Sequence, residues 1–108
     1  MEIEIEFYIT PFGRNPFDDW FESTRETHTK SKILARLARL KLGNFGDCKL
    51  IKDGEGILEL RINYGPGYRV YLGRKGLELV ILLIGGDKGS QTKDITKAKQ
   101  YWRTFKEK

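Results

Sequence analysis

The sequence is poor in the residues that build covalent and metal-bound frameworks. Its 108 residues include one cysteine, Cys48, and one histidine, His28. A single cysteine excludes an intramolecular disulfide and is typical of a reducing compartment. A structural zinc site is also excluded, because it needs several cysteine and histidine ligands. We therefore expect a fold that depends on its apolar core, with no metal and no other cofactor.

Long apolar runs and low-complexity segments are missing as well. No stretch approaches the roughly 18 consecutive apolar residues of a membrane span. The start, MEIEIEF, lacks the basic segment that opens a signal peptide. We therefore expect a cytoplasmic protein with no membrane partner. The length predicts a single domain, residues 1–108, because a chain of this size buries one core.

Acidic residues are scarce at the C-terminal end of the chain. Residues 1–87 hold 13 basic and 13 acidic side chains, whereas residues 88–108 hold seven basic and two acidic ones. The whole net charge of +5 therefore belongs to this last segment. Such a segment suits an anionic partner such as nucleic acid. A solvated face that only keeps the protein soluble is the alternative.

Hydrophobic periodicity divides the chain into strands and helices. Alternation in MEIEIEFYIT predicts a strand. The capping dipeptide Asn15-Pro16 predicts a helix over about 16–25, and an apolar stripe predicts a second helix over about 29–43. Three strands, ILELRIN, GYRVYLG and LELVILLI, then form a meander, followed by a loop at 85–89 and a C-terminal helix. The order β-α-α-β-β-β-α predicts an α+β fold.

The strand GYRVYLG contains a charged residue, Arg69, where an apolar side chain would cost less. Alternation along the strand puts Arg69 and Tyr71 on one face. A hairpin centred on Gly65 sets Arg61 of the preceding strand opposite Arg69. In the same register Glu59 lies opposite Tyr71. Two like charges in a cross-strand pair destabilise a sheet by up to ~1 kcal/mol, unless an anion neutralises them.

Two sources of that anion lead to different interpretations of Arg61 and Arg69. In the first, Glu59 and a second carboxylate such as Asp87 form an internal ion-pair network, and the arginines are structural. In the second, the anion is an external phosphate, because guanidinium presents a fixed fork of donors to phosphate oxygens. The glycine-rich segment IGGDKGSQTKD favours the second source, since it brings Lys88 near the same face.

The run ILELRINYGPGYRVYLG followed by LLIGGDKGSQTKDITKAKQYW resembles the RelE/ParE superfamily of type II toxin–antitoxin toxins. The resemblance is to the HigB-like branch, whose members are often labelled probable addiction module killer protein, and it covers nearly the whole chain. It implies two helices packed on one face of a curved, mainly antiparallel four-stranded sheet, plus a C-terminal helix. It also implies a cognate antitoxin that wraps the toxin.

The superfamily holds at least two activities. RelE-like members cleave mRNA in the ribosomal A site with basic residues and no metal, whereas ParE-like members inhibit DNA gyrase. The resemblance therefore implies a ribosome-dependent mRNA endonuclease whose partners are mRNA, the ribosome and an antitoxin. The alternatives are a non-enzymatic gyrase inhibitor and an inactive relative that retains only antitoxin binding.

The resemblance assigns catalytic roles to basic residues. Arg69 matches an arginine implicated in stabilising transition-state charge, Arg61 matches the basic position of the preceding strand, and Lys88 matches an acid or charge stabiliser beyond the last strand. The tyrosine or histidine that usually follows is absent, because Gln91, Thr92, Lys93 and Asp94 stand there. Glu59 is then the candidate base for the 2′-hydroxyl of RNA.

Further residues are candidates for RNA binding without a catalytic role. Tyr71 is the tyrosine on the same face as Arg69 and is a candidate to stack a base. The basic candidates lie on the second and C-terminal helices, where ordinary solvated faces are the alternative. They are Lys32, Arg36, Arg39, Lys93, Lys99, Arg103 and Lys106.

Overall fold

The computed structural model describes residues 2–107 and contains five strands and three α-helices within them. The strands are β1 (Glu4–Phe7), β2 (Cys48–Leu50), β3 (Ile57–Ile62), β4 (Tyr68–Lys75) and β5 (Leu79–Asp87). The helices are α1 (Pro16–Ser23), α2 (Thr27–Lys41) and α3 (Gln91–Lys106), and a 3-10 turn, Lys88–Ser90, joins β5 to α3. Across this part of the chain, no helix combines the length and apolar character needed to cross a membrane.

All five strands belong to one mixed sheet with the order β1-β5-β4-β3-β2. The first strand pairs with β5 in parallel, and the other neighbours are antiparallel. The prediction of an α+β fold is confirmed, but the predicted four strands are wrong. The strand that the prediction missed is β2, which has three residues and lies in a segment rich in turn residues.

The helix boundaries follow from local capping chemistry. Asn15 accepts a hydrogen bond from the backbone N–H of Asp18 at 3.0 Å, which satisfies one of the free donors at the start of α1. Gly43 follows α2 with a φ of +92° and donates its N–H to the carbonyl of Leu40 at 2.8 Å. A left-handed residue at this place favours glycine, so the predicted left-handed cap at Gly43 is confirmed, while the helix itself ends two residues earlier, at Lys41.

The sheet is covered on both faces, so the molecule has three layers. Helices α1 and α2 cover one face, where Phe17, Ile33 and Leu40 pack on the inward side chains of β3, β4 and β5. Helix α3 covers the other face, where Ala98 and Trp102 pack on a second cluster of strand residues. The face that carries Tyr71 is the one under α3, because Tyr71 belongs to this second cluster.

The last strand is longer than predicted, and its glycines belong to the sheet. Residues 85–87 continue β5, whereas the sequence predicted a loop from Gly85. A Cβ at Gly85 would overlap the indole ring of Trp20, and a Cβ at Gly73 would overlap that of Trp102. Each glycine therefore makes room for one tryptophan, on opposite faces of the sheet.

Candidate functional site

The predicted register of the arginine strands is confirmed. Arg61 of β3 lies opposite Arg69 of β4, and Glu59 lies opposite Tyr71. The turn between the strands includes Gly65, whose φ of +57° is in the left-handed region. Two arginines are therefore cross-strand neighbours on the face of the sheet that carries Tyr71.

Each arginine has a carboxylate of the same chain nearby. The guanidinium of Arg61 donates to Asp47 Oδ1 through Nε at 3.1 Å and Nη2 at 2.8 Å. Arg69 Nη1 lies 3.9 Å from Glu59 Oε1, which is an ion pair but too long for a hydrogen bond. Asp87, the second carboxylate that we expected in such a network, instead accepts the N–H of Ser90 at 3.1 Å. Internal acids thus neutralise part of this charge, as the structural interpretation of the arginines predicts.

Glu59 lies at the base of this arrangement and is 1% exposed. Its Oε2 accepts a hydrogen bond from Gln91 Nε2 at 2.8 Å, so the first residue of α3 covers it. The side chain of Arg69 beside it is 14% exposed. A buried carboxylate is costly unless hydrogen bonds and positive charge compensate it, which makes Gln91 and Arg69 its stabilising partners.

Tyr71 is fully buried next to Glu59, with an exposure of 0%. Its hydroxyl and the Nε of Arg69 have no hydrogen-bond partner among residues 2–107. Burial raises the pKa of Tyr71, and the negative charge of Glu59 raises it further. The prediction that Tyr71 stacks an RNA base is corrected, because a fully buried ring has no face to offer.

A second buried carboxylate, Asp94, lies at the first turn of α3. It is 6% exposed and accepts a hydrogen bond from Ser90 Oγ at 2.5 Å. A Cβ at Gly86 would overlap its Oδ2 atom, so this glycine lets the carboxylate approach the backbone of β5. Sequence reasoning noticed Asp94 only as a replacement for an expected aromatic residue. The signal that could have found it is its helical spacing of four residues from Ala98, which is fully buried.

Lys88 is exposed immediately after β5. Its backbone N–H donates to the carbonyl of Gly67 at 2.8 Å, which joins it to the turn that precedes β4. The last pair of the β4–β5 ladder is Tyr68 with Asp87. Tyr68 precedes Arg69 in the chain, and Asp87 precedes Lys88. Lys88 therefore lies just beyond this end of the sheet, and Arg69 lies one residue inside it.

The predicted basic face of α2 divides into a buried residue and two exposed ones. Arg36 is 8% exposed, and its guanidinium donates to the backbone carbonyls of Arg61, Phe45 and Asp47. Burial lowers the pKa of Arg36, and the charge of Arg39 lowers it further. Arg36 is therefore a structural connector, and its prediction as an RNA-binding residue is corrected. Lys32 and Arg39 are exposed.

The basic residues of α3 occupy different environments. Lys93 and Arg103 are exposed on the helix. Lys106 Nζ lies 3.1 Å from Glu55 Oε1, in a partly exposed ion pair. Lys99 is half-buried and lines a cleft beside Glu59. The structure brings Glu59 and Arg69 together beside the start of α3. Arg61 instead pairs with Asp47 and lines a cleft with residues of α2, Lys88 lies at the end of the sheet, and the other exposed cations are distributed over the surface.

Comparison with known proteins places the chain beside one relative. A scan against protein-family models finds no match. A protein from Haemophilus influenzae, described as "Uncharacterized protein", is 50% identical over 99 residues, which cover 92% of each chain. Identity of this extent over nearly the full length of both chains shows common ancestry. The chain therefore belongs to the same family as this Haemophilus influenzae protein.

Proposed function

We propose that this chain is the toxin of a type II toxin–antitoxin system in the RelE/ParE superfamily. It acts in the cytoplasm as a ribosome-dependent mRNA endonuclease, and a cognate antitoxin neutralises it. The observation that carries the proposal is the cross-strand pair of Arg61 and Arg69, with Lys88 at the end of the same sheet. The motifs GPGYRVY and GGDKGSQTKDI and the two helices packed on one face of the sheet support it.

The proposed reaction is cleavage of RNA by its own 2′-hydroxyl. A base removes the proton of that hydroxyl, and the 2′-oxygen forms a bond to phosphorus. The bond from phosphorus to the 5′-oxygen breaks, and that oxygen takes a proton from an acid. The products are a 2′,3′-cyclic phosphate and a 5′-hydroxyl. Proton transfer contributes about 10²- to 10⁴-fold to such a rate, and fixed positive charge can contribute as much.

The site residues divide these tasks between them. Arg69 and Arg61 hold the phosphate and stabilise the charge of the pentavalent intermediate, because guanidinium groups pair with two oxygens at once. Glu59 is the base for the 2′-hydroxyl, and Lys88 stabilises charge or protonates the leaving oxygen. The ribosome supplies orientation, because it holds the 2′-oxygen in line with the bond from phosphorus to the 5′-oxygen.

A second candidate function is inhibition of DNA gyrase without catalysis. The burial of Glu59 and the carboxylate neighbours of both arginines favour this alternative, since they account for the charges without a substrate. In a non-enzymatic toxin the same residues stabilise the sheet, and the exposed basic residues of α3 contact the target.

The two candidates differ in what happens first in a cell. Induction of the endonuclease without antitoxin stops protein synthesis within minutes, and primer extension shows new 5′ ends inside translated frames. Lys88→Gln removes the proposed charge stabiliser at an exposed position, so these ends should disappear while the protein remains folded. Lys41→Gln, at the exposed end of α2, is the matched control and keeps them. A DNA-damage response before any loss of translation contradicts the endonuclease and supports gyrase as the target.

A further inference from the structure

An open cleft of about 540 Å³ lies between α3 and the β2–β3 hairpin. Its helix side is formed by Gln91, Ile95 and Lys99, which follow one another at intervals of one helical turn. Its sheet side includes Lys49 of β2 and Glu59 of β3, which are paired across the two strands. This volume is within the range of about 300–1,000 Å³ that small-molecule sites occupy.

Besides Glu59, the cleft is lined by three lysines and two acids, which differ in whether they are already paired. Lys49, Lys52 and Lys99 line it and form no ion pair within the described part of the chain. Two acids, Asp53 and Glu55, also line it, and Glu55 is already paired with Lys106. These three lysines are therefore the cations available to a ligand in the cleft.

Glu59 separates these lysines from the arginines. On one side Glu59 pairs with Lys49 of the neighbouring strand β2. On the other side its Oε1 atom lies 3.9 Å from Arg69 Nη1. Its Oε2 atom accepts from Gln91, whereas Oε1 accepts no hydrogen bond among those of residues 2–107. A buried carboxylate normally accepts several hydrogen bonds. Glu59, unlike Tyr71, lines the cleft, so its Oε1 atom can accept one further hydrogen bond from a ligand there.

The groups that line the cleft indicate which chemical groups a ligand must carry. The lysines suit a phosphate, the apolar side chains of Ile51 and Ile95 suit the flat surface of a base, and the free Glu59 oxygen suits a hydroxyl. A ribonucleotide carries all three groups, and its 2′-hydroxyl is the donor that distinguishes RNA from DNA.

We propose that the cleft binds the nucleotide on the 5′ side of the scissile bond, which fixes the direction of the RNA strand on the protein. The 5′-phosphate of this nucleotide lies among Lys49, Lys52 and Lys99, its 2′-hydroxyl donates to Glu59, and its 3′-phosphate lies toward Arg69. This inference rests on the proposed function, because it takes the phosphate at Arg69 as the one that is cleaved.

Binding of small nucleotides tests the inference without cleavage and without the ribosome. Adenosine 3′-phosphate, adenosine 3′,5′-bisphosphate and its 2′-deoxy form are titrated into the protein by calorimetry at low salt. In the parent protein the 5′-phosphate should increase affinity about tenfold, because it adds an interaction with charged groups. Loss of the 2′-hydroxyl should decrease affinity about tenfold, because it removes a hydrogen bond to a charged group.

Two variants localise these effects. The double variant Lys49→Gln, Lys99→Gln should lose the gain from the 5′-phosphate and keep the sensitivity to the 2′-hydroxyl. The matched control is Lys97→Gln, which lies on the opposite flank of α3 and outside the cleft, and it should retain both effects. NMR shifts of the bound parent should include the amide of Ile95.

The results that overturn the inference differ from those that overturn the proposed function. A gain from the 5′-phosphate that survives in the double variant places that phosphate elsewhere, and equal affinity of the 2′-deoxy form removes the contact with Glu59. Weaker binding of adenosine 3′-phosphate itself to the lysine variant than to the parent places the 3′-phosphate among the lysines and reverses the proposed strand direction. If these titrations behave as expected but no mRNA is cleaved in cells, the nucleotide site stands and the endonuclease assignment fails.

Discussion

Replacement of Arg69 by leucine separates the structural role of this arginine from its catalytic role. Glu59 is 1% exposed and has two stabilising neighbours, the Gln91 amide at 2.8 Å and the Arg69 guanidinium at 3.9 Å. Arg69→Leu leaves the carboxylate with the amide alone. Breaking a buried pair by removal of one partner costs about 3–5 kcal/mol. Because this pair is long and leucine adds apolar contact, we expect a loss near the lower limit, about 3 kcal/mol.

The charge of Glu59 is the cause of this loss, so its removal should restore stability. The double variant Arg69→Leu, Glu59→Gln carries no buried charge at this position and should be within about 1 kcal/mol of the parent. Arg61→Leu is the control at the other arginine. Its partner Asp47 is 43% exposed, and such surface pairs contribute at most about 1 kcal/mol.

Thermal unfolding followed by circular dichroism measures these differences. For a domain of this size about 1 kcal/mol corresponds to roughly 4 °C, so Arg69→Leu should melt roughly 12 °C below the parent. A melting temperature within a few degrees of the parent refutes the argument that Glu59 depends on Arg69. Growth assays with the double variant then test catalysis, since a folded protein that lacks Arg69 and Glu59 should no longer be toxic.

Three other perturbations have expected outcomes. Gly73→Ala should cost about 2 kcal/mol in urea unfolding, because the new methyl group overlaps the Trp102 ring, and an unchanged midpoint contradicts this packing. Arg36→Met should cost about 3 kcal/mol, because buried backbone carbonyls lose their donor, whereas Arg39→Met at an exposed position should change stability by less than about 0.5 kcal/mol. The pKa of Tyr71 is raised in the folded protein, so as the pH rises the unfolded chain loses this proton first. The free energy of unfolding is therefore unaffected below the ordinary pKa of 10.0, and above it falls by up to about 1.4 kcal/mol per pH unit. Tyr71→Phe should make the melting temperature less dependent on pH in this alkaline range, and an unchanged slope contradicts the assignment.

Local chemistry made much of this fold predictable from the sequence. Asn15 and Gly43 mark helix ends through capping requirements that do not depend on the rest of the molecule. The register of β3 and β4 followed from alternation and one turn, which is why the pairing of Arg61 with Arg69 could be predicted. These features share one property, namely that the residues that determine them are close in the sequence.

The features that sequence reasoning missed depend on residues far apart in the chain. The parallel pairing of β1 with β5 joins the first and last strands of the chain, and no local pattern encodes it. Gly85 and Gly86 resembled a loop because glycine weakens a strand, yet the approach of Trp20 and Asp94 from other elements requires them there. The sequence indicated which strand and face carry Tyr71, but it did not predict that α3 covers this face. Tyr71 was therefore wrongly predicted to be available to RNA.

The glycine–tryptophan contacts give the molecule one fluorescent reporter on each side of the sheet. Trp20 lies over Gly85 in the layer of α1 and α2, and Trp102 lies over Gly73 in the layer of α3. The sequence contains no other tryptophan. Emission from Trp102 in a Trp20→Phe protein therefore reports detachment of α3, and emission from Trp20 in a Trp102→Phe protein reports the opposite layer. Stopped-flow traces of the two proteins can thus show whether α3 leaves the sheet before the rest of the domain unfolds.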